Sequence, residues 1–366
     1  MLGLLAAGLL SACGGDNAVT STPELPSVKT SDTSQQEITF NVTGEWNSEA
    51  TTREATIYEN TAALRDEVSH EGAGGNFFHI DAYYDGNTDK YINNSRVFYF
   101  TATPAWRFAD NSGNIVHYFW PPTQYVVTSL NFLAYAPEIL TYTGVTIGTY
   151  SDRNPTFNCD LPITNNQTYV GGTVPLKEFI YAFESGKNIE NSESGVPLNF
   201  LHPFAVVYLR IGSAKQRTTL NSVTFMRIYK KGTGEYNSTG GPTGGPTTDW
   251  TPETADNEHD FTISIGKVMG VDMVTGSTFG PFIVMPQSLR GRTDPSLVDI
   301  KMVVNYTEYG GSATETSEIA LSNTSWDPSK KYIYTLDLGT DDGSVKVGVD
   351  VVDWVDQGSN TLINVD

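Results

Sequence analysis

The chain has 366 residues, 39% of them hydrophobic and only 17% charged, which is enough to build two domains with apolar cores. Its net charge of -20 argues against nucleic acid as a partner, because phosphate binding needs a basic surface and no Lys/Arg cluster occurs. The 19 Tyr and 17 Phe, with abundant Gly, Ser, Thr and Asn, favour strands and turns over helices. We therefore expect an all-β protein with an acidic, exposed surface.

The N-terminal residues have the pattern of a lipoprotein signal. An apolar run over residues 2–10 is too short to span a bilayer as a helix, which takes about 20 residues. Leu-Ser-Ala leads directly to Cys13, as in a bacterial lipobox, where the Cys becomes an acylated N-terminus. The alternative is an ordinary signal peptide cut nearby, with Cys13 incidental. The lipobox interpretation predicts that residues 1–12 are removed and that lipid on Cys13 anchors the precursor in the outer membrane.

A flexible tether is predicted over residues 13–37, where Ser, Thr and Pro dominate and little can be buried. The first strand signal follows at residues 38–42, whose side chains alternate between apolar and polar. Short strand-like runs then recur along the sequence, separated by turn signals such as 85–89 and 110–114. One short helix is predicted, over residues 175–183.

The Gly-Gly-Pro repeats within residues 232–248 predict either a long hairpin loop or the link between two domains. We place a domain boundary there, with an N-terminal β-sandwich over 38–245 and a C-terminal β-sandwich over 246–366. Strands of this length without alternating helices argue for antiparallel sandwiches rather than a parallel sheet.

Neither catalysis nor a bound metal or cofactor is predicted. The five His are scattered, and none pairs with another His or Cys at metal-ligand spacing. His202 lies in an apolar run, which favours a core histidine. Residues 85–89 open like a calcium loop, but Lys90 stands where Gly is needed and Arg96 where the bidentate Glu should be. No nucleophile elbow or phosphate loop occurs in the sequence.

Carbohydrate chemistry stays open from the sequence. Paired carboxylates for glycoside hydrolysis lie far apart along a chain and leave no local signature. Trp106, Trp120 and Trp250 can stack on sugars, although such residues more often fill sandwich cores.

Five segments of the chain carry short motifs in a fixed order. They are 131–137, similar to F-F-A-Y-x-P; 198–207, similar to L-x-F-x-H; 284–287, similar to a hydrophobic-P-Q strand; 326–336, similar to W-x-x-G-x-x-Y-x-Y-x-L; and 351–354, similar to V-x-x-W. Ser329 stands where Gly is usual in the fourth motif. Together with the lipobox, this set extends over nearly the whole chain and resembles the fimbrillin family, the type V pilus subunits of Bacteroides-like bacteria.

The resemblance implies two transthyretin-like β-sandwich domains in tandem and no enzymatic activity. It also implies export as a lipoprotein and cleavage by a trypsin-like protease after an Arg near the end of the first strand, often within T-R-A. Here Thr52 and Arg53 match and Glu54 departs, so the expected cut lies between Arg53 and Glu54. Arg65 and Lys29 are poorer alternatives.

That cut releases the lipid anchor together with the strand that carries Ile38, Phe40 and Val42. The first sandwich is then expected to present an open apolar groove whose neighbouring strands have unpaired backbone groups. An extended segment of the next subunit can fill such a groove. Head-to-tail contacts of this kind do not close on themselves, so they grow a filament.

The candidate donor strand lies in the C-terminal segment, residues 359–366, with Leu362, Ile363 and Val365 as its groove-filling side chains. The alternative is that this tail completes the sheet of its own domain. The sequence therefore predicts a structural pilin of a cell-surface fimbria that supports cell adhesion, with other pilin subunits and the protease as partners. The polymer is homo- or heteromeric. Alternative functions are a monomeric surface lipoprotein that binds glycans or host proteins, and a tip or anchor subunit of the same pilus.

Overall fold

Every regular element in the described part of the chain is a β-strand, so the prediction of an all-β protein is confirmed. The computed structural model describes residues 36–43, 77–100, 104–122, 129–136, 144–151, 154–161, 167–168, 178–241, 245–253, 258–290, 300–338, 345–353 and 363–364. All of them belong to one contact unit, 34–366. Within these residues there is no helix of the length and apolarity that a membrane crossing requires.

The described residues form 23 strands. In chain order they are β1 (Phe40–Thr43), β2 (Phe78–Tyr84), β3 (Lys90–Phe100), β4 (Ala105–Ala109), β5 (Leu130–Ala136), β6 (Val145–Ser151), β7 (Asn154–Asp160), β8 (Gln167–Thr168), β9 (Ile180–Lys187), β10 (Val196–Asn199), β11 (Ala205–Ala214), β12 (Thr219–Tyr229), β13 (Lys231–Asn237), β14 (Thr247–Pro252), β15 (Glu258–Val268), β16 (Thr278–Val284), β17 (Gln287–Ser288), β18 (Lys301–Thr307), β19 (Glu315–Ala320), β20 (Ser325–Trp326), β21 (Lys330–Leu338), β22 (Lys346–Asp353) and β23 (Ile363–Asn364).

A seven-stranded sheet, in the order β10-β1-β4-β3-β2-β5-β9, forms the N-terminal part. Strands β2 and β5 are buried on both faces: successive side chains of a strand point to opposite sides, and nearly all of theirs are buried. In β5, Phe132 and Ala134 enter one apolar cluster while Leu133 and Tyr135 enter another. The two ends of the sheet also meet, since Leu201 N donates to Tyr181 O at 2.7 Å. The sheet therefore curls around the first of these clusters.

A four-stranded sheet, in the order β14-β13-β7-β6, covers the other face of the seven-stranded sheet. Aromatic rings join the two layers: Tyr83 stacks on Tyr150 with ring centroids 3.9 Å apart, and Phe157 lies 4.4 Å from Tyr181. Burial raises the pKa of Tyr181 well above its ordinary value, so its hydroxyl stays neutral. That hydroxyl shares a 2.8 Å hydrogen bond with Thr248.

Two five-stranded sheets form the C-terminal part, one in the order β16-β11-β21-β22-β23 and the other in the order β19-β18-β12-β15-β8. Their inner faces pack on each other through Phe225, which lies 5.4 Å from Trp326 and 5.4 Å from Tyr334. Phe261 and Phe282 add a second edge-to-face contact at 5.8 Å. A short pair of strands, β17 and β20, completes the strand pairing of the described residues.

The structure corrects one predicted element and resolves one alternative. The predicted helix over 175–183 is wrong, because its described part leads into β9, where Ile180 and Tyr181 enter different apolar clusters. The described residues within 232–248 belong to a hairpin, in which Gly232 pairs with Pro252 and Asn237 with Thr247. Strands β11 and β12, which precede the predicted division at 245/246, pair with strands that follow it. The domain boundaries themselves stay a prediction.

The connection from β10 to β11 carries His202, which is buried and pairs through its Nδ1 with the buried carboxylate of Glu178. Ser329 fixes this connection from the C-terminal part: its Oγ donates to His202 O at 2.7 Å. Its φ of 58° lies in the left-handed region, where a Cβ costs about 1–2 kcal/mol. This conformation gives a physical reason for the Gly that is usual at this motif position, and the Oγ hydrogen bond offsets part of the strain.

Candidate assembly site: the first-strand groove

Strand β1 lies inside the seven-stranded sheet, between β10 and β4. It runs parallel to β10 in a register that pairs Phe40 with Val196 and Val42 with Leu198. It runs antiparallel to β4, where Phe40 is opposite Trp106. Strand β10 therefore comes from about 150 residues farther along the sequence than β1, and no local signal in the sequence links the two strands.

The residues just before β1 are held by a different segment. Ile38 N donates to Tyr118 O at 2.8 Å, and Trp120 N donates to Gln36 O at 3.1 Å. Glu37 Oε1 lies 2.9 Å from His117 Nδ1 on the surface. Residues 36–43 are thus bonded along both sides, and we call the space that they fill the first-strand groove.

The three inward side chains of this segment are almost completely buried. Ile38 is 1% exposed, while Phe40 and Val42 are each 7% exposed. Thr39 and Asn41, between them, face solvent. Burying each apolar side chain is worth about 1.5–3 kcal/mol, so the segment contributes substantially to the N-terminal core.

Phe40 sits in a pocket of aromatic rings. Its centroid lies 5.0 Å from Phe108, 6.2 Å from Phe78 and 6.2 Å from Phe132, with interplanar angles of 68°, 79° and 82°. These are edge-to-face contacts, the preferred geometry of aromatic pairs. We call these three rings the aromatic box, and Trp120 extends it at 5.9 Å from Phe132.

Gly195 fixes the backbone of β1 at the point where β10 begins. Its φ of +95° suits only Gly, and a Cβ there would lie 3.0 Å from Phe40 C and 3.1 Å from Asn41 N. Val196 N, the next residue, donates to Thr39 O at 2.8 Å. The close approach at Gly195 therefore lets β1 lie at full hydrogen-bonding depth in the groove.

Loss of residues 36–43 would have two physical consequences. The amides of Trp120 and Val196 and the carbonyl of Tyr118 would lose the partners that they have now. The aromatic box would open to solvent. An apolar trough flanked by unsatisfied backbone groups favours the addition of another strand.

The other predicted site residues fall mostly outside the described residues. This holds for Cys13, Arg53, Glu54, Leu362 and Val365. Ile363 lies in β23, the edge strand, which pairs antiparallel with β22 of its own chain, where Ile363 is opposite Val351. In this structure the described part of the tail therefore adds a strand to a sheet of its own chain, which is the arrangement that the alternative to strand donation predicts.

Groups of three or more metal-binding side chains do not occur among the described residues. Of the three Trp considered for sugar stacking, Trp106 and Trp120 are buried in the core beside the first-strand groove. Trp250 is partly exposed and lines a cavity of about 550 Å³ with Asp249 and Asp327. Its indole Nε1 donates to Pro203 O at 2.5 Å.

Comparison with known proteins identifies the class. The fimbrillin-like family profile matches residues 75–354, so the chain belongs to the fimbrillin-like family, as its motifs predicted. This is a structural, non-enzymatic family of fimbrial and cell-adhesion proteins. No curated protein sequence matches the chain significantly. The first-strand groove is formed largely by matched residues, whereas β1 precedes them.

One solved structure with a TM-score above 0.5 supports the same fold, and two others show a weaker likeness. A fimbrial protein from Bacteroides vulgatus matches with a TM-score of 0.53 at 15% identity, over 87% of this chain and 99% of that one. A Bacteroides uniformis protein with a suggested cell-adhesion role matches with a TM-score of 0.46 at 19% identity. The match covers 82% of this chain and 96% of that one. The tip fimbrial protein Mfa3 from Porphyromonas gingivalis, truncated at its C-terminus, matches with a TM-score of 0.37 at 10% identity. The match covers 76% of this chain and 94% of that one.

Proposed function

We propose that this chain is a structural subunit of a cell-surface fimbria, and that it polymerises when its first strand is replaced by a strand of another subunit. The observation that carries the proposal is the position of residues 36–43. They supply three buried side chains to the N-terminal core, yet the sequence joins them to β2 through a long connection with the Arg53 cleavage pattern.

The maturation steps belong to the same proposal. The precursor is exported as a lipoprotein acylated on Cys13, which holds it in the outer membrane. A trypsin-like protease then cuts between Arg53 and Glu54. The lipid and the strand with Ile38, Phe40 and Val42 leave together, so one event both detaches the subunit and opens the groove. We also propose that the two packed β regions are transthyretin-like sandwiches in tandem.

The C-terminal tail is the proposed donor to the next subunit. Only Ile363 and Val365 can enter a groove together, because side chains alternate along a strand and Leu362 points to the opposite face. In the isolated chain, the described part of the tail contacts β22 through two residue pairs at a sheet edge. So small a contact is easily given up when a partner offers a deeper one.

Maturation in cells tests the proposal. Fimbriae sheared from cells should contain this chain with Glu54 at its N-terminus. An Arg53→Ala variant should remain as a lipid-modified precursor in the outer membrane and be missing from the fimbriae. Arg65→Ala is the matched control and should assemble normally. Fimbriae that contain this chain with residues 36–43 intact, or that incorporate Arg53→Ala normally, would contradict the proposal.

A second candidate, a monomeric lipoprotein that binds glycans, is favoured by the cavity beside Trp250. A partly exposed indole flanked by Asp249 and Asp327 has the mixture of apolar face and hydrogen-bonding groups that sugar sites use. Glycan-array binding that is lost in Trp250→Ala, in a chain that keeps residues 36–43 on the cell surface, would favour this candidate over the first.

A further inference from the structure

The first-strand groove differs from a general apolar trough in its central pocket. Phe40 lies at the middle of the three inward positions, and each ring of the aromatic box meets it edge to face. An aliphatic side chain at this position cannot fill the same volume or make these contacts, and it leaves a cavity that costs free energy. The flanking side chains, now Ile38 and Val42, are smaller and belong to the same apolar cluster.

The backbone of the groove also fixes the direction of any strand that enters. The occupant must run parallel to β10 and antiparallel to β4 to take over the present pairing. Because Gly195 packs on the main chain between Phe40 and Asn41, the register is set at the same point as the aromatic box. The direction and register of the donor strand therefore determine which of its side chains enters the aromatic box.

The C-terminal segment of this chain does not match these requirements. Its same-face triplets within 359–366 are Ser-Thr-Ile, Asn-Leu-Asn, Thr-Ile-Val and Leu-Asn-Asp. None contains an aromatic residue, and each places at least one polar side chain at an inward position. A polar group buried there without a partner costs further free energy.

We propose that the first-strand groove selects a donor strand with an aromatic side chain at its central position and aliphatic side chains at the two flanking inward positions, so that it receives its strand from a different subunit rather than from a second copy of this chain. This inference rests on the strand exchange proposed above. The tail of this chain then serves the groove of another kind of subunit, and the chain stands between unlike neighbours in the filament.

Peptide exchange into the cut chain tests the selectivity. The site of a protease with a long recognition sequence is placed within residues 45–52, so that the full chain can be cut between β1 and β2 without relying on Arg53. Synthetic peptides then compete with a fluorescent peptide of residues 36–43 until the signal is constant. The competitors are the natural 36–43 sequence, its Phe40→Ile and Phe40→Ala variants, the Asn41→Ala variant as an outward-facing control, and residues 359–366.

The natural and Asn41→Ala peptides should compete equally. The Phe40→Ile peptide should be about 10-fold weaker, and the Phe40→Ala peptide about 100-fold weaker or more. The 359–366 peptide should be weaker than Phe40→Ile. Equal competition by Phe40→Ile or by 359–366 overturns the selectivity while leaving strand exchange intact. If even the natural peptide fails to exchange, the strand exchange fails and the selectivity fails with it.

Discussion

The two terminal strands of the described fold hold opposite positions in their sheets. Strand β1 lies between β10 and β4 and completes an apolar core, whereas β23 lies at the outer edge of a sheet, beside β22. The N-terminal core therefore depends on β1, the first strand of the described residues. The C-terminal core is instead built from strands inside the sequence, with Trp326, Tyr332 and Tyr334 among its fully buried side chains.

This difference means that removal of β1 and removal of β23 have unequal effects on the apolar core. Loss of β1 opens the aromatic box, while loss of β23 removes two residue pairs from an edge. Only the first leaves a trough with unsatisfied groups on both sides. An assembly based on strand replacement therefore has its acceptor in the N-terminal part.

The largest effect is expected when Phe40 is truncated. Phe40→Ala should lower the free energy of unfolding by about 3–5 kcal/mol, because a large side chain is lost from a box that cannot collapse around the cavity. Denaturant unfolding measures this change. Asn41→Ala, at the neighbouring exposed position, should stay within about 0.5 kcal/mol of the parent. A Phe40→Ala loss as small as the control's would mean that β1 does not complete the core.

A smaller loss is expected when a methyl group is added beside β1. Gly195→Ala should cost about 2–3 kcal/mol, since it combines left-handed strain with a contact against the β1 backbone. Gly310→Ala is the matched control: its φ is +79°, but nothing lies within 4 Å of its Cβ position. It should cost about 1 kcal/mol, from strain alone. Equal losses of unfolding free energy in the two variants would show that the close contact between Gly195 and the β1 backbone does not contribute to stability.

The C-terminal core should respond to alkaline pH. Burial raises the pKa of Tyr334 above its ordinary value of 10.0, while hydrogen bonds with Trp326 and Asn323 partly oppose the shift. Because the folded state favours the neutral phenol, this contribution to stability is complete below pH 10 and is lost as the pH rises toward the higher folded-state pKa.

Tyrosinate absorbance and near-ultraviolet circular dichroism should therefore change together as the buried tyrosines ionise. Tyr334→Phe provides the comparison, since its side chain cannot ionise and should contribute nothing to that coupled change. Ionisation of every tyrosine near its ordinary pKa, with the fold intact, would contradict the burial of this core.

The smallest effect is expected at β23. Removal of residues 363–366 should change the free energy of unfolding by less than about 1 kcal/mol, because the described pairs lie at a sheet edge. Denaturant unfolding again measures the change, with deletion of residues 36–43 as the contrasting variant. A loss comparable to that of Phe40→Ala would show that the tail is an integral strand and a poor candidate for donation.

Part of the site could be predicted from local pattern. Alternation over 38–42 predicts a half-buried strand, and in the structure Ile38, Phe40 and Val42 point inward while Thr39 and Asn41 face out. Turn signals were equally informative: Asp110 accepts hydrogen bonds from Asn114 Nδ2, Asn114 N and Ser112 N, which hold the pKa of its carboxyl below its ordinary value. Such features depend on neighbours within a few residues.

Segments buried on both faces could not be assigned in this way. The run before residue 183 was mistaken for a helix because Ile180, Tyr181 and Ala182 show no polar face, and such runs have no clear period. Gly195 and the members of the aromatic box were missed as well. They lie in four separate parts of the sequence, and only the pairing of distant strands brings them to Phe40.

The sequence alone determined the all-β class, the fimbrillin-like family through its ordered motifs, and the inward and outward alternation of residues 38–42, whose strand begins at Phe40 in the structure. These depend on composition, spacing and alternation, which are local properties of the chain. Only the tertiary structure decided that this strand lies between β10 and β4, that an aromatic box receives Phe40, and that β23 lies at an edge. Strand order and register are set by packing among segments far apart in the chain, because each strand gains its stability only from the neighbours that bury it.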